Sequence, residues 1–470
     1  MELSEALHGG ADPAELERAV LPATYKAAYL RAQDVAMFGD ATDKDVRKSL
    51  VVGQVPMPEI APDEVLVAVM ASAVNYNSVW SAMFLPVPTF NFLKQLGRQG
   101  GWATRHDQPH HVIGSDGAGV IVRVGSGVRR WKIGDEVVIH PSQVDDQEHG
   151  THDDGMMGEN QRAWGFETNF GSMAEYTVVR ASQLIPKPKH LTWEEAASNT
   201  LCATTVYRML VGKHGARLKQ GDVVLIWGAA GGLGAFAVQM VKNGGGIPIG
   251  VVSSARKAEA VRKLGCDFVI DRTEIGLDGD SDAEPDAVIR LGKRLGSKIR
   301  ELVGRDPDIV FEHTGRATFG VSVFVVRRGG VVITCGSSSG YQHSYDNRYL
   351  WMKLKSVIGS HGANLQEAVE CTRLIADGSI KPVLSEIYQL DDAADACRRL
   401  QLNEHVGKIG ILCMAPSAGL GVSDPTLRER LGANALTPLL PREGGSMSTA
   451  VKSEGWPVGH ARTGEQTLRG

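Results

Sequence analysis

The sequence predicts an α/β protein in which a β-rich, barrel-like region precedes a doubly wound parallel sheet. Three observations predict it. Short apolar runs punctuated by glycine and proline fill residues 54–138, an apolar run enters a glycine cluster at 223–239, and strand-length and helix-length patterns alternate from there to about Ile358. The expected division is 1–215 for a preamble and the β-rich domain, 216–360 for the doubly wound domain, 361–432 for a return to the first domain, and 433–470 for a disordered tail.

Composition narrows the function classes. The 470 residues allow two or three domains with large cores. Fifty Lys plus Arg against 54 Asp plus Glu leave a net charge of −4, and neither sign runs in long blocks, which excludes a polyanion such as nucleic acid as the expected partner. No stretch approaches ~18 uninterrupted apolar residues, so no membrane span is expected. Residues 1–19 are acidic and broken by Gly9-Gly10, with no apolar leader core, so the expected location is cytoplasmic. Cysteines at 202, 266, 335, 371, 397 and 413 are scattered through apolar patterns, as suits reduced thiols.

In chain order, residues 1–50 read as a polar, helix-leaning preamble with a broken amphipathic pattern over 11–30. A Pro-rich turn at 56–63 leads into a strand at 64–75, and further strands follow at 114–125 and 131–138. Residues 141–161 carry six acids and little to bury, so they read as a surface excursion; its His149 and His152 lack further ligands, and no metal is expected. A helical pattern over 193–210 precedes the doubly wound region. Helices at 365–377 and 393–402 and a closing strand at 408–413 follow it.

The glycine cluster carries chemistry. Gly228, Gly231, Gly232 and Gly234 stand between a strand and a helix, where bare backbone and a helix N-terminus receive a pyrophosphate. A second apolar run at 247–252 follows at βαβ spacing and ends in Ser253-Ser254-Ala255-Arg256-Lys257. An NAD site places Asp or Glu there for the ribose 2′-hydroxyl; hydroxyls and cations suit a 2′-phosphate, so the expected cofactor is NADPH, against the alternative of a solvated basic loop.

This order of regions resembles the medium-chain dehydrogenase/reductase superfamily, which implies a GroES-like catalytic domain joined to a Rossmann domain. Where zinc members carry Gly-His-Glu, this chain has Gly114-Ser115-Asp116, and it lacks their four-cysteine lobe, so a zinc-free member is implied. Asn75-Tyr76-Asn77-Ser78-Val79-Trp80, Trp164-Gly165-Phe166-Glu167-Thr168-Asn169-Phe170, Phe311-Glu312-His313, Tyr345-Asp346-Asn347-Arg348-Tyr349-Leu350-Trp351 and Ile358-Gly359-Ser360-His361 together resemble crotonyl-CoA carboxylase/reductase, over about residues 20–432.

The resemblance implies hydride transfer from NADPH to the β-carbon of an α,β-unsaturated acyl-CoA and capture of the enolate by carbon dioxide, giving an alkylmalonyl-CoA. It implies that Asn77 donates to one carboxyl oxygen, that Glu167 and His361 hold a water that donates to the other, and that Phe166 walls the pocket from solvent. Lys293, Arg300 and Arg348 become candidates for the phosphates of CoA, and the seven-residue spacing of the first two puts them on one face of a helix. Gly336 and Gly362 stand where bulkier residues are expected in an enzyme for crotonyl-CoA, which suggests a longer or branched acyl chain. A homo-oligomer, dimer or tetramer, is expected. Singly, each residue has a plainer alternative: Asn77 a strand-edge residue, Phe166 a core aromatic, Glu167 a solvated acid, His361 an interior histidine. Two other functions compete, an NADPH-dependent enoyl-CoA or quinone reductase without carboxylation and a nucleotide-binding protein without activity.

Overall fold

The computed structural model describes residues 2–276, 285–432 and 434–436. Strands β1 (Thr24–Arg31) and β2 (Val51–Pro56) pair antiparallel; β3 (Glu64–Ala73) follows, and β4 (His110–Val112) joins the other side of β1. Then come β5 (Gly117–Val124), β6 (Glu136–Ile139), the short ribbon of β7 (Ser142–Gln143) with β8 (Arg162–Ala163), β9 (Tyr176–Arg180) and β10 (Leu184–Pro186). Every residue of β3 is buried. That is the burial of a strand covered on both faces, and β3 borders β5, β9 and the returning chain at different points along its length. Two register shifts against β5, at Leu66/Val67 and Val69/Ala71, increase local twist and curl the sheet.

One expectation needs correction here, and another needs refinement. The 11–30 stretch is helical only at Pro13–Arg18; Thr24–Arg31 is β1, because Pro22 ends helical geometry and Tyr25, Ala27, Ala28 and Leu30 are all drawn into the core against β2 and β4. The 141–161 stretch lies largely at the surface, as expected, with one of its six acids turned inward. Asp154 is buried and ion-paired to Arg208 at 2.7 Å, which in turn pairs with Glu367 at 2.8 Å, so the loop is pinned to helices Thr200–Leu210 and Leu365–Ala376. Burial works against the charge of Asp154, yet Arg208 and Asn364 hold its carboxyl below the usual range.

The second sheet comprises β11 (Val223–Ile226), β12 (Ile247–Val252), β13 (Phe268–Asp271), β14 (Ile309–Glu312), β15 (Val331–Thr334) and β16 (Ser356–Gly359). All pairings are parallel, in the order β13-β12-β11-β14-β15-β16. Strand order reverses between β11 and β14, which opens a crevice at their C-terminal ends. Helix Gly232–Asn243 packs on one face; on the other, Leu291, Leu295 and Ile299 of Pro285–Val303 and Phe319, Val321 and Val323 of Phe319–Val325 share a core with Val223, Leu225 and Val310. Each such aliphatic side chain contributes ~1.5–3 kcal/mol on burial.

The chain then returns. β17 (Leu384–Gln389) pairs parallel with β18 (Lys408–Leu412), and β18 pairs antiparallel with β3 of the first sheet. On the way it touches the glycine turn, since the Gly407 amide donates to the Ala230 carbonyl at 2.7 Å. The tail expected over 433–470 lies outside the described residues, apart from 434–436.

Candidate active site

The glycine turn sits at the crevice. Gly228 has φ +56°, in the left-handed region where a side chain is strained, and a Cβ there would lie 3.0 Å from the His313 ring. A Cβ on Gly234 would run into the Gly228 carbonyl, so the turn and its helix pack backbone to backbone. Gly231 caps the twelve-residue helix Gly232–Asn243, whose first amides face the turn. The loop after β14 closes the same space. Glu312 is wholly buried and its carboxylate accepts from Thr318, Ser322 and the amides of Thr314 and Gly315, while the His313 ring bonds the Trp227 carbonyl at 2.8 Å. Burial raises the Glu312 pKa, and those four donors work against the rise.

At the end of β12, Ser254 caps helix Ala255–Lys263 by accepting from the Lys257 amide at 3.3 Å; Ser253 precedes it. Arg256 donates to the Glu404 carbonyl at 2.6 Å and Lys257 to the Asn403 carbonyl at 2.7 Å. Burial, with Arg256, Arg272 and Arg399 nearby, pushes the Lys257 pKa down to about 8, against the opposing pull of Glu404. His405 is buried among the same charges and falls to about 3. Arg399 is itself paired with Glu386 and Glu404, which leaves Arg256 and Lys257 as the cations suited to an anion at this tip. The residues present therefore fit a dinucleotide with a phosphorylated ribose: bare backbone and a helix N-terminus for the pyrophosphate, cations for the 2′-phosphate.

Asn77 is the second residue of helix Tyr76–Met83, half-buried, and its Nδ2 donates to Ser115 Oγ at 2.8 Å. The start of that helix is fixed from below. Asn75 Nδ2 donates to Asp116 Oδ2 at 2.8 Å, and Lys408 of β18 donates to Asn75 Oδ1 at 2.5 Å and to Asp116 at 2.9 Å. Burial disfavours the Lys408 charge, but Asp116 and the Cys202 thiol hold its pKa above the ordinary lysine value. A Cβ on Gly232 would meet Lys408 Cδ at 2.9 Å, so this ion pair lies directly under the cofactor helix. Where zinc members place ligands, Asp116 is thus occupied with Lys408, Asn75 and Thr200, and no group of three or more His, Cys, Asp or Glu among the described residues is arranged to hold a metal.

Glu167 accepts from the Ala163 amide at 2.7 Å, and the half-buried Phe166 ring packs against Phe92 with centroids 5.9 Å apart. His361 is exposed, on the turn where the chain leaves β16. The next residue, Gly362, has φ +50°, and a Cβ there would lie 3.0 Å from Ser142 Oγ and 3.2 Å from Met156 Cε. Ser142 pairs with Ala163 in the β7–β8 ribbon, so Glu167 and the His361-Gly362 turn lie against the same ribbon. His140 steadies that turn by donating from Nε2 to the Ala363 carbonyl at 2.9 Å; burial lowers its pKa to about 4, so the ring is neutral near pH 7. Asn364 adds a bond to Asp154 at 3.0 Å. Gly336 follows β15 by two residues, with His313 O 3.6 Å from the Cβ it would carry.

Lys293 and Arg300 both lie on the exposed face of helix Pro285–Val303, opposite Leu295 and Ile299; Arg300 pairs with Asp306 at 2.7 Å. Arg348 is exposed and pairs with Asp346 at 2.6 Å. Tyr349 packs on Phe324 at 4.7 Å and Phe324 lies against Gly292, which brings the two basic segments to one corner. Several participants escaped the reading of the sequence. Arg272 and Arg399 come near Lys257 from distant segments, Met156 borders Gly362, and Ser115 and Lys408 support Asn77 and the start of its helix; only Ser115, inside a motif already compared with the zinc members, carried a local signal.

Two family models match the chain, an alcohol dehydrogenase GroES-like domain over residues 61–189 and a zinc-binding dehydrogenase over residues 232–377. A crotonyl-CoA reductase of Streptomyces collinus is 53% identical, covering 87% of this chain and 92% of its own, and a crotonyl-CoA carboxylase/reductase of Cereibacter sphaeroides is 40% identical, covering 79% and 86%. Among solved structures, a 2-octenoyl-CoA carboxylase reductase in complex with NADP and 2-octenoyl-CoA superposes with TM-score 0.91 at 64% identity, covering 93% of this chain and 98% of its own. By these identities and coverages, and by the two domain models, the chain belongs to the crotonyl-CoA carboxylase/reductase family of the medium-chain dehydrogenase/reductase superfamily.

Proposed function

We propose that the protein is an NADPH-dependent reductive carboxylase that converts a 2-enoyl-CoA longer than crotonyl-CoA, with carbon dioxide, into the corresponding alkylmalonyl-CoA. Family membership supports the reaction class. What supports the carboxylase reading is the linkage of Asn77 through Ser115 to Trp164, beside the β7–β8 ribbon against which Glu167 and the His361-Gly362 turn lie. NADPH, held at Gly228–Gly234 with Arg256 and Lys257 at the ribose, supplies the hydride for the β-carbon.

The chain's own residues then govern what happens to the enolate. Water protonates such a carbanion, so a wall is needed, and Phe166 packed on Phe92 supports that role. Carboxylation builds negative charge on two oxygens, and the Asn77 amide supplies a fixed donor to one of them. Glu167, held by Ala163, and His361 hold the water that serves the other. Lys293, Arg300 and Arg348 take the phosphates of CoA, exchanging Asp306 and Asp346 for a stronger anion.

The acyl preference rests on Gly362 and on the relative whose complex holds 2-octenoyl-CoA. A homo-oligomer belongs to the same proposal: β16 is the open edge of its sheet, and Trp351 and Leu354 beside it are 61% and 66% exposed. So does a cytoplasmic location; among the described residues no helix is long and apolar enough to cross a membrane. Incubation with NADPH, enoyl-CoAs of four to ten carbons and labelled bicarbonate, with mass spectrometry of the products, tests the reading. Label in an alkylmalonyl-CoA, most with six or more carbons, is expected. Saturated acyl-CoA alone leaves a plain reductase.

A further inference from the structure

We infer that Ser115 is a positioning residue for carboxylation: its hydroxyl fixes which way the Asn77 amide faces and ties that amide to the turn bearing Phe166 and Glu167. The inference rests on the carboxylase reading and extends it to a residue outside the reacting groups.

Ser115 is buried, between β4 and β5, and its hydroxyl has one proton. It lies 2.6 Å from the Trp164 carbonyl oxygen, which can only accept, so the proton is committed there. Towards Asn77, 2.8 Å away, Ser115 Oγ is left able only to accept, and the amide must present Nδ2 and not Oδ1. Reversing the amide would set two acceptors against each other.

The consequence is a defined polarity. One N–H of Asn77 is used on Ser115 and the second remains for the carboxyl oxygen that forms on the substrate. Asn77 Oδ1 is buried and meets no donor among the described residues, so nothing else there determines the orientation. Trp164 itself is buried and anchored through its indole to the Phe170 carbonyl at 3.0 Å, and it immediately precedes Gly165-Phe166-Glu167. One hydroxyl therefore links the donor from helix Tyr76–Met83 to the turn that carries the wall and the acid.

Ser115→Ala removes the link without removing the turn, because Gly165 also packs directly on the Gly114 backbone. The assay is the ratio of carboxylated to saturated product with NADPH and 2-octenoyl-CoA at saturating bicarbonate. Ser115→Ala should lower that ratio ~10-fold, with a smaller effect on NADPH oxidation, as loss of orientation in a reacting group does. Ser115→Cys, close in size but a weak acceptor, should lower it too and serves if the alanine variant does not fold. In an Asn77→Leu background the Ser115 change should add nothing to the ratio, since the group it orients is gone. A parent that carboxylates while both single variants keep its ratio overturns the inference and leaves the carboxylase reading standing; so does an equal further loss in the Asn77→Leu background. A parent that makes no carboxylated product overturns both.

Discussion

The dinucleotide turn and the carboxylation corner are built on opposite plans. At the turn, backbone is the reagent: Gly228, Gly231, Gly232 and Gly234 sit within seven positions of one another, and β11 and helix Gly232–Asn243 aim them together. At the corner, side chains are the reagents, and they come from four separated segments, near residues 77, 115, 163–167 and 361; hydrogen bonds join the first three, and the Gly362 turn packs against Ser142 of the β7–β8 ribbon. A backbone site tolerates little added volume. A side-chain site depends on orientation, so single atoms should decide its outcome.

The largest expected effect lies at the corner. Asn77→Leu removes the donor at similar volume, and loss of one such donor costs ~2.7–4 kcal/mol where charge develops, a fall of about 10²–10³ in the carboxylated-to-reduced product ratio. Glu167→Met and His361→Asn should move the ratio the same way. Product analysis by mass spectrometry checks this; a ratio unchanged in all three variants would leave the corner without a role in carboxylation.

At the turn the expected loss is of binding and stability together. Gly234→Val places two methyl groups against the Gly228 carbonyl, an overpacking that costs ~1–3 kcal/mol. NADPH affinity and Tm should both fall, while the ratio of products from whatever cofactor binds should not. A variant that keeps its NADPH affinity but changes the ratio would erase the distinction between the two plans.

Legibility from sequence followed the same division. The glycine cluster announced itself because its parts are contiguous, and the Ser253–Lys257 tip followed at βαβ spacing. Arg272 and Arg399 did not, since only the parallel pairing of β12 with β13 and the return through β17 and β18 bring them to Lys257. Asn77, Phe166, Glu167 and His361 have no pattern of their own; resemblance to a family singled them out. In the 141–161 loop five of the six acids stay at least partly exposed, as the sequence suggests; the burial of Asp154 was not legible, because its partner, Arg208, lies 54 residues further along the chain. Tyr25 to Leu30 misled because its burial is set by β2 and β4, not by local periodicity.

The ribose end allows a finer test of electrostatics. Arg256→Ala should reduce the preference for NADPH over NADH about 10-fold, or ~1.4 kcal/mol, because a 2′-phosphate loses one of its cations. The pH dependence has a sign. A lysine is charged below its pKa, and that of Lys257 is lowered to about 8, so KM for NADPH should rise between pH 8 and 9 as the charge is lost, with KM for NADH nearly flat. Parallel changes for both cofactors would show that Lys257 does not meet the 2′-phosphate.

The smallest expected effect concerns the acyl chain, and here the structure changes the terms of the test. Gly362 stands where a bulkier residue is expected, but it is left-handed and its Cβ direction is already met by Ser142 and Met156. Gly362→Phe therefore carries a backbone cost of ~1–2 kcal/mol besides any steric effect on substrate. Met156→Ala is the cleaner probe, since it trims the neighbour and leaves the turn's glycine alone. Each methylene newly buried contributes ~0.8 kcal/mol, about fourfold in kcat/KM, so the preference for eight-carbon and longer enoyl-CoAs over crotonyl-CoA should rise by a few-fold to tenfold. Gly362→Phe should shift the preference towards short chains and lower Tm at the same time. Competition between crotonyl-CoA and 2-octenoyl-CoA in one vessel reads the ratio directly; equal kcat/KM changes for both chain lengths in Met156→Ala would place the acyl chain away from Gly362.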